Sequence, residues 1–343
     1  MGYYSIALKT VIEGMGHEPV IPPYTNKKAM EIGVKLSPES VCLPFKLNVG
    51  NMFQVLDKGV DIFILASSGG ECRYSYYGLL QKRILKEYNK KVRFVIFGGR
   101  YGLKPLIRLA GSKTRFLRAF GAFYKKVKLI ELTEDLSWWY RPREINKGET
   151  TRVMHECLNM IDKTGKKELK KLKGRIKNRF KKIKIDNNKK VLKVGIIGEI
   201  FTLLDQYVNH DLDISLGYLG VEVHKRMRVT SHLKQIILNR TGLYRLTNRA
   251  RKYLKERVGG HAFYAVNDAI KFKNKGFDGI IDLLPFGCLP EVAVAPILDR
   301  IREDSNIPIL TISLDEHSGK AGLQTRLEAF VDLIKNEKGI SGN

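Results

Sequence analysis

VDIFILASS (60–68) and VRFVIFGG (92–99) are continuous apolar runs rich in β-branched residues, and each follows a stretch of helical period, NMFQVLDKG (51–59) and QKRILKEYNKK (81–91). Runs with no polar alternation belong to strands buried on both faces, and their alternation with helices predicts a parallel sheet covered on both sides. The rhythm restarts with VLKVGIIGEI (191–200), GVEVHKRM (220–227), GIIDLLPFG (279–287) and IPILTISLDE (307–316). The chain is therefore expected to be α/β, with two parallel-sheet domains. The first spans residues 1–150, a basic amphipathic helical connector spans 151–190, the second domain spans 191–337, and 338–343 form a tail. Residues 3–15 read as a helix and HEPVIPP (17–23) as a short strand, whereas 103–149 show less regular patterning. A helix at residue 3 with no strand before it leaves the first sheet one strand short, unless the chain begins upstream.

The chain has 343 residues, of which 43% are hydrophobic and 28% charged, so it can build real cores and is not a disordered chain. No stretch approaches the roughly 20 apolar residues needed to cross a bilayer, and MGYYSIALKT lacks the features of a secretion signal. The expected location is the cytoplasm. Four cysteines are too few for a disulfide scaffold and would stay reduced there, available as metal ligands or as core residues.

The net charge of +26 suggests an acidic partner, and half of it lies in one segment. Residues 163–193 hold fifteen basic and two acidic side chains, with Leu169, Leu172, Ile176, Phe180 and Ile183 at helical spacing. This reads as an amphipathic helix with one buried stripe and basic outer faces. Three readings stand for those faces: a plain solvated surface, a dock for an acidic partner or nucleotide-bearing substrate, or a nucleic-acid contact.

Cys42 stands in SPESVCLPFK and Cys288 in LLPFGCLPEV, so Cys-Leu-Pro occurs once in each half; Cys72 stands in SSGGECRYSYYG. Cys72 and Cys288 fall where predicted strands end, in the crevice where α/β sheets bind ligands. Gly69, Gly70 and Gly287 let backbone amides approach, while Pro44 and Pro290 stiffen the turns. These are features of thiolate ligation to iron, although three buried core thiols would give the same pattern. Cys157 lies in a helical pattern with Met154, Leu158 and Ile161 and reads as core. Gly195 and Gly198 suit either close helix packing or a phosphate; Trp138, Trp139 and Tyr140 suit core packing or an interface. His261 and Asp315-Glu316-His317 sit where site residues or caps would sit, and Arg326 and Glu328 are expected to form an ion pair or cap the last helix.

GFDGIIDLLPFGCLPEVAVAPIL with IPILTISLDEHSGKAGLQTRLEAFVDLI resembles the C-terminal signature of the activase-related branch of the 2-hydroxyacyl-CoA dehydratase D-component and benzoyl-CoA reductase subunit family, which includes double-cubane cluster proteins. SPESVCLPFKLNVGN, GGECRYSYYG, VGIIGEI and VGGH extend the resemblance over nearly the whole chain. The resemblance implies two flavodoxin/Rossmann-like domains with an oxygen-sensitive iron–sulfur cluster, [4Fe-4S] or double-cubane, held in the cleft between them. Cys42, Cys72 and Cys288 occupy the matching ligand positions. It further implies low-potential electrons delivered by an ATP-dependent iron–sulfur activator protein and passed to a substrate such as an acyl-CoA, with a homologous subunit as a further partner. A non-catalytic cluster carrier or electron relay is the alternative, and a basic nucleic-acid-binding protein with inert cysteines is the second. No GxxxxGK[ST] phosphate loop is present, so the expected ATP hydrolysis belongs to another chain.

Overall fold

The computed structural model describes residues 2–340 apart from 69, 71, 241–247 and 256–257. A 3-10 turn at Gly2–Tyr4 runs into α1 (Ser5–Gly14). α2 (Lys27–Leu36) starts where the Asn26 side chain accepts the Ala29 N–H at 3.0 Å. α3 (Leu43–Phe53) has Cys42 at its N-cap and Pro44 in its first turn, where a missing N–H costs the helix nothing. β1 (Ile62–Ala66), α4 (Tyr74–Tyr88) and β2 (Arg93–Phe97) follow, and β1 pairs with β2 in parallel. Next come α5 (Lys104–Leu109), α6 (Lys113–Tyr140), α7 (Glu149–Lys163) and α8 (Leu169–Phe180). α1 and α6–α8 form a helical layer whose core includes Tyr4, Ile130, Ile161, Leu172 and Phe180.

The second sheet begins with β3 (Leu192–Gly198), α9 (Ile200–Leu204), α10 (Leu212–Tyr218) and β4 (Val221–Lys225). After α11 (Val229–Arg240), α12 (Asn248–Arg251) and α13 (Ala262–Asn274) it is completed by β5 (Gly279–Pro285), α14 (Leu289–Ser305), β6 (Ile309–Leu314) and α15 (Lys320–Glu337). All four strands are parallel, in the order β4-β3-β5-β6. That order reverses direction between β3 and β5, and the crevice beyond their carboxyl ends is the ligand address of such sheets. The fold is thus α/β with two parallel sheets, one of two strands and one of four, set among many helices.

Several sequence expectations need correction. HEPVIPP is not a strand: Pro19, Pro22 and Pro23 lack the N–H groups a ladder needs. The helix expected at 51–59 lies upstream at Leu43–Phe53, because Cys-Leu-Pro starts a helix rather than only stiffening a turn. Residues 103–149 are largely regular, since α6 runs 28 residues from a Ser112 side chain that accepts the Arg115 N–H. Its pattern was hidden because it meets several neighbours and is buried on more than one face. The stripe Leu169, Leu172, Ile176, Phe180 and Ile183 is buried as expected, although the helix itself ends at Phe180.

The two sheets are joined by shared packing. Met30, Leu43, Leu47 and Trp138 belong to the core of the four-stranded sheet. α2 crosses α3 closely enough that a Cβ on Gly33 would lie 2.0 Å from the Lys46 carbonyl oxygen, and one on Gly50 would lie 1.8 Å from that of Ala29. This fixes α3, and with it Cys42. Lys46, one turn into α3, forms a buried ion pair at 2.7 Å with Glu316 beyond β6. Asn51 of α3 donates to Thr25, which donates in turn to Asp205 beyond α9 at 2.8 Å.

Candidate functional site

Three loops meet beyond the carboxyl ends of β3 and β5, and each carries one of the cysteines singled out above. The Leu43 N–H donates to the Phe286 carbonyl at 3.2 Å, joining the start of α3 to the loop after β5. Arg73 closes the third side, donating to the Ser40 carbonyl at 2.6 Å and to the Gly287 carbonyl. Gly287 adopts φ 74°, and a Cβ there would lie 3.3 Å from Cys42 Cα, so glycine is needed for both conformation and approach. A Cβ on Gly260 would lie 2.7 Å from Pro290 Cγ and 3.7 Å from Cys72 Cβ, which brings the loop before α13 to the same place.

Each thiol lies at a helix start. Cys42 and Cys288 are the N-caps of α3 and α14, and Cys72 lies two residues before α4. Neither N-cap sulfur closes a capping hydrogen bond, but the amides of Phe45 and Glu291 face them and favour the thiolate, as the Tyr74 amide does for Cys72. Helix N-termini lower the cost of negative charge in the same way. The Tyr77 hydroxyl sits 3.2 Å from Cys42 Sγ.

Burial opposes these effects and prevails. It raises the Cys42 thiol above its ordinary value, with Glu199 and the Cys72 thiolate adding to the rise. It raises Cys72 in the same direction. Cys288 is pushed furthest, by burial first and then by Glu199, Glu291 and Cys42. Each of the three sulfurs therefore favours its neutral form. Cys157 is fully buried among Met154, Leu158 and Ile161 in the helical layer, apart from the other three.

Acidic side chains near the cysteines escaped the sequence reading. Glu199 ends β3 and caps α9 by accepting the Thr202 N–H at 2.9 Å; its field reaches all three thiols, and burial raises its carboxyl. Asp282 of β5 and Glu291 of α14 are fully buried, and among the described residues no donor reaches their carboxylate oxygens. Burial raises both above the usual carboxylate range, so each favours its neutral form. The one available signal was polarity inside apolar strand patterns, IIDLL and IIGEI.

The remaining candidates take structural roles. A Cβ on Gly195 would strike the Phe272 ring at 2.3 Å, so that glycine serves close packing of α13 on β3. His261 precedes α13 and faces His232 at 5.0 Å between ring centroids; burial lowers its pKa to about 3. Asp315 caps its own turn by accepting from His317 N–H and Ser318 Oγ. Arg326 and Glu328 do not pair with each other: Arg326 donates to the Thr311 carbonyl and Glu328 accepts from Gln324. Trp138 is core, its Nε1 donating to Asp213 at 2.9 Å, while Trp139 is exposed under Arg143.

Among the described residues no three His, Cys, Asp or Glu side chains are grouped to hold a single metal ion. The donor set nevertheless suits a cluster, which takes its thiolates at separate corners and benefits from amides directed at sulfur. Comparison with known proteins adds a match of residues 1–67 to the family model of the CoA enzyme activase uncharacterised domain (DUF2229), a segment that contains Cys42. No curated protein matches the chain. No helix among the described residues is long and apolar enough to cross a membrane.

Proposed function

We propose that Cys42, Cys72 and Cys288 hold an iron–sulfur cluster, and that the chain receives low-potential electrons from an ATP-dependent activator and delivers them to an acyl-CoA-type substrate. The observation that carries this reading is the meeting of three cysteine-bearing helix starts, on loops tied by Arg73 and by the Leu43–Phe286 hydrogen bond, at the reversal point of the parallel sheet. The match of residues 1–67 to an activase-related domain supports the same system.

A bound cluster supplies one-electron chemistry at a potential set by burial, hydrogen bonds and net charge. This chain's residues contribute the setting. The cysteines lose their protons on binding, which makes assembly favour higher pH. The amides of Phe45, Tyr74 and Glu291 and the Tyr77 hydroxyl stabilise sulfur charge. Glu291 is the carboxyl whose charge would bear on Cys288, and its preference for the neutral form limits that charge.

A carrier or relay role has an observation in its favour. Tyr76 and Leu79 on α4 and Phe286, Leu289 and Val292 around Cys288 are large apolar side chains exposed beside the cysteine loops. Apolar residues so placed suit docking of another protein as readily as capture of a substrate. Anaerobic reduction by an activator, followed by addition of acyl-CoA thioesters, separates the two. Reoxidation by a thioester supports the enzyme, whereas reoxidation only by a second protein supports the relay.

A further inference from the structure

The two edges of the four-stranded sheet are treated in opposite ways. β4 is protected: α6 and the 3-10 turn at Arg141–Arg143 pack over it, and it carries Glu222, His224 and Lys225. Glu222 is held by Arg143 at 2.7 Å, and Lys225 donates to the Leu203 carbonyl at 3.1 Å. At the other edge β6 reads ILTISL, with no charge, no proline and no bulge against β5. Charges, prolines and covering elements are the usual means of keeping an edge strand from pairing; β6 itself carries none, and the one charged side chain found across it among the described residues is that of Arg326.

The register shows which backbone groups are free. The carbonyls of Pro308 and Leu314 accept from the N–H groups of Ile280 and Phe286, so the alternate residues Ile309, Thr311 and Ser313 turn their N–H and C=O groups outward. One side chain lies across them, Arg326 of α15, donating to the Thr311 carbonyl at 2.7 Å. Beside this edge runs a groove of about 680 Å³, whose floor includes Leu310 and Phe330 and whose lip is Leu333, about half exposed.

We infer that β6 is an assembly edge on which a second copy of this chain pairs, antiparallel about a two-fold axis, to join two four-stranded sheets into one. The occupant follows from charge. A chain of net charge +26 repels its copy over most of its surface, but this groove is lined by Arg302 and Arg326 together with Glu303 and Glu337. A patch with two residues of each sign can meet itself across a two-fold axis with unlike charges opposed. An antiparallel pairing centred on Thr311 would set Ile309 opposite the Ser313 of the other copy, form about six backbone hydrogen bonds and cover Leu333. Arg326 would release the Thr311 carbonyl as the copy docks.

Sedimentation velocity of the full chain over a range of concentration tests this inference independently of any cluster. The wild type is expected to sediment as a dimer that tightens as salt screens the net repulsion. Leu333→Lys, at an exposed position, should shift it to monomer with unchanged circular dichroism. Thr311→Pro should do the same, because it removes an outward N–H that the fold does not use. Should Thr311→Pro fail to fold, Leu333→Lys still decides. A wild type that stays monomeric at every concentration, or a folded Leu333→Lys variant that dimerises as well as wild type, overturns the inference.

Discussion

Asp282 and Glu291 show how much a single buried group says about conditions. Both carboxyls are raised by burial, and neither has a donor among the described residues. A carboxyl raised in the fold contributes stability that is complete below its unfolded value and is lost as pH rises through the folded one. The protein should therefore lose stability as pH climbs above the ordinary carboxylate range. Asp282→Asn, which keeps shape and needs no charge, should flatten that slope, an effect on the order of a few kcal/mol that thermal unfolding at a series of pH values would reveal. An unaltered slope would mean that the Asp282 carboxyl is not held neutral. Cys157 makes the complementary case: its sulfur is enclosed by Met154, Leu158 and Ile161, so Cys157→Ser should cost about 1 kcal/mol in denaturant unfolding and nothing in bound iron.

At the scale of elements, α3 is the piece that carries both a proposed ligand and a tie to the second sheet. Glu316→Gln would leave the Lys46 ammonium, 5% exposed, without its counter-charge, and should cost about 2 kcal/mol. The Lys9–Asp162 pair, 41% and 38% exposed, should cost under about 1 kcal/mol when broken, which supplies the control in the same unfolding assay. The basic helix α8 poses the opposite test. Its apolar stripe is buried while Lys170, Lys173 and Lys177, with Lys166 just before the helix, are exposed. Changing those four to Gln should leave iron content and fold intact but weaken association with an acidic partner at low salt. Unchanged association would leave α8 as a solvated face. These elements also show what the sequence could convey. The strands of both sheets were legible because most are largely apolar runs, with β4 the polar exception, and the α8 stripe because one face alone is buried. α6 was not legible because its contacts surround it, nor was the true start of α3, whose Cys-Leu-Pro cap looks like a loop feature.

Across the whole molecule, the three-loop arrangement depends on residues far apart in sequence, which explains the uneven legibility of the site. Cys42, Cys72 and Cys288 could be picked out because sulfur is rare and each stands in a glycine- or proline-marked turn. Glu199, Asp282 and Glu291 could not, since an acid at a strand or in the first turn of a helix discloses nothing of its neighbours until β3, β5 and α14 are placed together. Arg73, which ties the Ser40 and Gly287 carbonyls, was hidden for the same reason. Iron and acid-labile sulfide should be measured on the anaerobically purified protein, alongside Cys42→Ser, Cys72→Ser and Cys288→Ser. A soft thiolate replaced by a hydroxyl holds iron poorly, so a visible iron–sulfur absorbance is expected in the wild type and loss of most iron in each folded variant. Wild-type protein without iron, or variants that retain it fully, would rule out a cluster on these three cysteines.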